Sequence, residues 1–84
     1  MDLMTIANKV EEELRKKEMV GDRIGSGFDC QTNTRDVQYM YGEEKDQESI
    51  TNLITDVVSS FEGEWSVSIR YKIDDFTFYI SPKE

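Results

Sequence analysis

Glycines at 25 and 27 bracket Ser26, and Asp29 and Cys30 follow closely, in the stretch "RIGSGFDCQ". A hydroxyl, a carboxylate and a thiol here stand beside flexible backbone. Such a segment could cradle a phosphate or hold a nucleophile. A phosphate loop needs backbone N–H groups at a helix N-terminus, with Gly-Lys-Ser/Thr closing the motif. "GSGFDC" has no such lysine and lacks the third glycine of a dinucleotide fingerprint, and "QTNTRD" then leads into a second strand, not a helix. The chain contains no histidine. That removes the commonest general base, imidazole metal ligation and any Ser-His or Cys-His pair. A single cysteine allows neither an internal disulfide nor a structural zinc site. The stretch therefore reads as a strand over 23–30. Alternation places Ile24, Ser26, Phe28 and Cys30 toward the core, with Arg23, Gly25, Gly27 and Asp29 on the other face. Cys30 is then expected to be a buried, inert hydrophobe.

Carboxylates are the remaining reactive groups. Glu43 and Glu44, Glu62 and Glu64, and Asp74 and Asp75 come in close pairs. Glycosidase or Mg²⁺ chemistry needs such groups to converge in a cleft. These fall in loops and turns, and the Ca²⁺-loop pattern is absent. The expectation is a protein that is not an enzyme, with no catalytic residue, no metal site and no cofactor.

Hydrophobic periodicity gives the elements that would position these groups. Leu3, Ile6, Ala7, Val10 and Leu14 recur at helical spacing over 3–17, with Asp2 as N-cap. Glu11, Glu12 and Glu13 precede Arg15, Lys16 and Lys17 by four residues, the favourable order for ion pairs on a helix. Val37, Tyr39 and Tyr41 alternate as a second strand ended by Gly42. Ile50, Leu53, Ile54, Val57, Val58 and Phe61 make the apolar stripe of a helix over 49–61, with Asp46 or Ser49 as N-cap and Gly63 just beyond its end. Trp65, Val67, Ile69, Tyr71 and Ile73 face one way in the next strand, and Phe76, Phe78 and Ile80 return after Asp74-Asp75. A two-residue turn there pairs Ile73 with Phe76 and Tyr71 with Phe78. The last strand should stop near Ser81, because Pro82 has no N–H for the ladder. The fold class expected is a single α+β domain over 1–84 in the order αββαββ, with a four-stranded antiparallel sheet and two helices on one face. "TIAN" at 5–8 and "SITN" at 49–52 hint at two related halves.

The charge map is lopsided. Eighteen acids face ten bases, for a net charge of −8. Residues 1–17 hold four of each sign, so the excess lies in 18–84. Direct binding to nucleic acid through the bulk of this surface is disfavoured, because phosphate contacts need clustered Lys and Arg. Glu43, Glu44, Asp46 and Glu48 crowd one loop, Asp56, Glu62 and Glu64 follow, and Asp74 and Asp75 cap a hairpin. Carboxylates spread over a small rigid domain can stand in for a row of phosphates and attract a basic partner. A second surface is the open sheet face, expected to show Arg23, Gly25, Gly27, Asp29, Gln38, Met40, Ser66, Ser68, Arg70, Lys72, Thr77 and Tyr79. It suits a regulatory or structural interaction module, with homodimerisation through the sheet face or edge. Arg23, Arg70 and Lys72 could also gather over a small anion. No apolar run reaches the roughly 20 residues of a membrane span, and the lone thiol fits a reducing, cytoplasmic compartment.

Size, acidity, missing catalytic residues and the α+β pattern together resemble the short acidic proteins that bacteriophages direct against host nucleic-acid machinery. These include uracil-DNA glycosylase inhibitor, anti-restriction and anti-CRISPR proteins, and inhibitors of nucleoid proteins. The resemblance implies a non-enzymatic DNA mimic that occludes a basic DNA- or RNA-binding surface on a protein partner. It is one of profile, and it carries no functional residue across.

Overall fold

A computed structural model describes residues 2–83. The element order is α1 (Leu3–Lys16), β1 (Val20–Asp29), β2 (Thr34–Tyr41), α2 (Gln47–Ser59), β3 (Trp65–Tyr71) and β4 (Asp75–Pro82). The strands form one antiparallel sheet in the order β1-β2-β4-β3. This is the αββαββ, α+β architecture expected. Exchanging β1 with β3 and β2 with β4 leaves the strand order unchanged, so the two αββ halves meet along the central β2–β4 pair. No helix among the described residues is long and apolar enough to cross a membrane.

Asp2 caps α1 by accepting hydrogen bonds from the Thr5 N–H at 2.8 Å and the Thr5 hydroxyl at 2.9 Å. Leu3, Ile6, Ala7, Val10 and Leu14 are buried, as the spacing requires. Glu11 pairs with Arg15 at 3.2 Å and Glu12 with Lys16 at 3.4 Å. Lys17 sits at the C-cap, so Glu13 pairs instead with Lys16 at 3.1 Å and Lys9 at 3.4 Å. Ile50, Ile54 and Val58 are the buried stripe of α2, while Leu53, Val57 and Phe61 pack half-buried at its margins. The core joins both helices to Val37, Tyr39, Phe76, Phe78 and Ile80 from the two central strands. Met19 and Val20 complete it, a contribution that lies outside the expected strand over 23–30.

Two expectations about strands are corrected. The first concerns β1. It begins at Val20, and the register shifts between Val20 and Arg23 and again between Arg23 and Gly25. Each shift inserts a residue and re-aims the side chains beside it. Arg23 lies opposite Tyr39 and reaches α1, with its Nη1 3.7 Å from Glu11 Oε1, so it does not belong to the open sheet face. The helices do not extend over the far half of this edge strand. Ile24 and Phe28 are 48% and 51% exposed, and Cys30 is an exposed free thiol in the following turn. Gly25 and Gly27 do face outward, but neighbouring side chains lie across them. A Cβ at Gly25 would meet Gln38 Oε1 at 3.3 Å, and one at Gly27 would meet Asp36 Oδ1 at 2.9 Å.

The second correction is the β3–β4 register. Tyr71 pairs with Phe76, Ile69 with Phe78 and Val67 with Ile80. The turn centres on Ile73 and Asp74, closed by the Lys72 N–H donating to the Asp75 carbonyl at 2.8 Å. Ile73 is left 94% exposed. The slip is two residues, one full side-chain period, so every other inward residue keeps its face. Strand β4 also runs one residue further than expected. Pro82 pairs opposite Trp65, and the Lys83 N–H beyond it donates to the Glu64 carbonyl at 3.0 Å.

Candidate functional site

The carboxylates divide between the two ends of the sheet. The chain leaves β2 at Tyr41, turns through Gly42, Glu43, Glu44, Lys45 and Asp46, and enters α2 at Gln47. The β3–β4 turn, with Asp74 and Asp75, arrives at the same end. Its Asp74 carbonyl accepts from the Tyr41 N–H at 3.3 Å. Two tyrosine hydroxyls fasten the pieces. Tyr41 donates to the Lys72 carbonyl at 2.9 Å. The Tyr71 hydroxyl donates to the Gln47 carbonyl at 2.9 Å and shares a 2.7 Å hydrogen bond with Thr51. Burial, the largest influence, raises the Tyr71 pKa, so the hydroxyl stays protonated and able to donate.

Gly42 makes this end possible. The α1–β1 connection passes against it, with Glu18 in a left-handed conformation at φ 57°. The Gly42 N–H donates to the Met19 carbonyl at 3.2 Å, and the Glu44 N–H to the Glu18 carbonyl at 2.9 Å. A Cβ on Gly42 would fall 2.3 Å from the Glu18 carbonyl oxygen. Only glycine permits that approach.

Glu43, Glu44, Asp46, Glu48 and Asp74 are exposed at this end, and Asp75 is half-buried. Three have local work. Glu44 Oε1 accepts from the Asp46 N–H at 2.9 Å, Asp46 Oδ2 accepts from the Ser49 hydroxyl at 2.6 Å, and Asp75 Oδ1 accepts from Gln38 Nε2 at 2.8 Å. Asp46 is at the N-cap of α2 but makes no side-chain bond to the helix backbone. Glu48 stands in the first turn of α2, where the helix dipole favours an anion. Glu62 and Glu64 sit at the opposite end, in the link between α2 and β3, and Asp56 lies on the exposed flank of α2. The structure therefore gathers Glu43, Glu44, Asp46, Glu48, Asp74 and Asp75, and separates Asp56, Glu62 and Glu64 from them.

The ion pairs show a sharp division. Among the described residues, every pair within 4.0 Å has Glu11, Glu12 or Glu13 as its acid. The carboxylates of the gathered end have no basic side chain at that distance, although Lys45 and Lys72 stand among them. Inside the ion-paired region, Tyr39 donates to Glu11 Oε1 at 2.6 Å. Burial pushes the Glu11 carboxyl up, but hydrogen bonds from Tyr39 and Arg15 and the charges of Arg15 and Arg23 outweigh it, and the net shift is downward. Burial and the same carboxylate raise the Tyr39 hydroxyl well above its ordinary value.

The open sheet face carries Gln38, Thr77 and Arg70 in one cross-strand row. Asp36, Tyr79 and Ser68 make the next row. Met40 is exposed opposite Asp75, and Lys72 lies past the end of β3 in the turn. Arg23 and Arg70 stand on the two outer strands, three strand spacings or roughly 14 Å apart. They do not converge on a shared anion. An open concavity of about 590 Å³ is lined by Arg15, Glu18, Tyr41, Gly42, Glu43 and Lys45 among others. No group of three or more His, Cys, Asp or Glu side chains among the described residues is placed to hold a metal ion.

Sequence reasoning located the carboxylates but missed what holds them, namely Tyr41, Tyr71, Gly42 and Glu18. Tyr41 and Tyr71 carried a readable signal. A tyrosine at the end of an apolar stripe has a hydroxyl that needs a partner. No protein-family model, no curated protein and no solved structure matches the chain.

Proposed function

We propose that the chain is a non-enzymatic acidic binding protein whose Glu43–Glu48 and Asp74–Asp75 end docks on the basic nucleic-acid-binding surface of a partner protein and excludes DNA or RNA from it. The observation that carries this reading is the contrast in ion pairing. The acids of α1 are neutralised by neighbouring bases, while those of the gathered end are not. Their backbone supports are fixed by the tyrosine hydroxyls and the Gly42 contact. Unneutralised charge on a rigid support loses little conformational entropy on binding and attracts a basic surface from a distance.

The test is displacement. A captured partner is purified, loaded with fluorescent duplex DNA, and titrated with the protein at several salt concentrations. DNA should be released, and affinity should fall steeply as salt rises. Combined Glu43→Gln, Glu44→Gln, Asp46→Asn and Glu48→Gln substitution should abolish release, while Glu62→Gln with Glu64→Gln leaves it intact. A complex that is insensitive to salt, or that leaves the DNA in place, contradicts the proposal.

A further inference from the structure

The free edge of β1 carries a pattern unrelated to the acidic end. β1 is an outer strand of the sheet. Its two irregularities lie between Val20 and Gly25, and from Gly25 to Asp29 it pairs with β2 without a break. The outward N–H and C=O groups of that half are therefore evenly presented. Edge strands are normally blunted by a lysine, a proline or a bulge. Residues 25–29, Gly-Ser-Gly-Phe-Asp, have none of these. Ile24 precedes this half and Phe28 lies within it, and both are about half exposed, at 48% and 51%. Met4, 54% exposed, borders the same concavity as Phe28. Three of the five exposed large apolar side chains among the described residues are thus at this one edge.

The sequence of the strand reads alike from both ends. "RIGSGFD" runs charge, apolar, Gly, Ser, Gly, apolar, opposite charge. We infer that the chain pairs with a second copy of itself along β1, antiparallel, about a two-fold axis at Ser26. In that register Ile24 lies opposite Phe28 of the second copy and Gly25 opposite Gly27. A β-branched–aromatic pair is a favourable cross-strand combination. A slip of one residue sets Ile24 against Gly27 or Asp29 and turns the apolar side chains to opposite faces. A slip of two sets Ile24 against Ser26 or Cys30. Of these registers, the Ser26-centred one alone sets Ile24 against Phe28. The axis is normal to the sheet, so the two four-stranded sheets join into one of eight strands with all helices on one side. Ile24, Phe28 and Met4 of both copies then cover one another.

Light scattering and sedimentation over a range of concentrations test this, with circular dichroism and urea unfolding confirming that each variant folds. The wild type should dimerise reversibly. Ile24→Lys and Phe28→Glu should each weaken the dimer about tenfold or more, since each substitution acts twice across the axis. The two together should restore it, now salt-sensitive, because the new charges face each other between copies. In a Cys30→Ser background, Ser26→Cys should form an interchain disulfide under mild oxidation, while Ser68→Cys on β3 should not. A folded protein that stays monomeric throughout overturns the inference, as does a dimer indifferent to both single substitutions. A dimer that will not cross-link at position 26, or a β1 edge that takes up only a foreign strand, overturns it equally.

Discussion

Replacing Gly42 by alanine should destabilise the domain more than its one added methyl suggests. The new Cβ would lie 2.3 Å from the Glu18 carbonyl oxygen, 2.8 Å from the Glu18 carbonyl carbon and 2.9 Å from the Val20 nitrogen. All three are backbone atoms and cannot rotate aside. Relief requires the α1–β1 connection to move away from the end of β2. That movement breaks the bonds from Gly42 to Met19 and from Glu44 to Glu18, at about 1 kcal/mol net each. Residual crowding adds about 1–3 kcal/mol. The reduced freedom of the unfolded chain returns about 0.4–1 kcal/mol. The expected loss is about 2–4.5 kcal/mol, a large share of the stability of a domain this size. Urea unfolding followed by Trp65 fluorescence measures it, and amide exchange at Glu44 should accelerate. Gly25→Ala is the control, because the one tight contact of its Cβ would be with the movable end of Gln38, at 3.3 Å, and its next, with Gln38 Cβ at 3.8 Å, is an ordinary van der Waals contact. A Gly42→Ala protein within about 0.5 kcal/mol of wild type would refute the close-approach argument and the role given to Gly42 in shaping the acidic end.

Tyr39→Phe removes the 2.6 Å hydrogen bond to Glu11, and at pH 7 should cost about 1.5 kcal/mol, the low end for a bond to a charged group, because Arg15 still holds the carboxylate. Glu11 has a lowered pKa in the fold, so this stabilisation is complete above the ordinary glutamate value of about 4.3 and fades as pH falls through the folded value. Urea unfolding at a series of pH values should show the wild type and variant converging in acid. Ile73→Asn should change stability by no more than about 0.5 kcal/mol, as at other exposed sites. Were Ile73 paired with Phe76 inside the core, the same change would cost about 2–5 kcal/mol, so equilibrium unfolding of this variant also checks the hairpin register.

Periodicity carried the element order and the interior. The 3.6-residue spacing of Ile6, Val10 and Leu14 and the two-residue spacing of Phe76, Phe78 and Ile80 place those side chains in the core in the structure as in the sequence. The β3–β4 pairing was legible only to within two residues, since a slip of one full period preserves which face is apolar. β1 was read less well. Alternation predicts which residues share a face, but it assumes an unbroken pleat, and the irregularities at 21–24 break it. Arg23 turns to the helix side for that reason. Ile24, Phe28 and Cys30 are exposed because α1 covers only the Val20 end of this outer strand, and helix placement is a long-range outcome.

The sequence by itself determined the αββαββ order, the capped and self-neutralised first helix, and the confinement of excess negative charge to residues beyond 17. These follow from neighbours three or four apart on a helix or two apart on a strand, and such neighbours are fixed by local geometry. Only the tertiary structure decided which carboxylates stand together. Asp74 reaches the end of β2, where Tyr41 leads into the Glu43–Asp46 loop, because β2 and β4 are adjacent at the centre of the sheet, while Glu62 and Glu64 are carried to the other end by the length of α2. Strand order and the Gly42–Glu18 approach depend on contacts between residues far apart in the chain, which local patterning does not encode.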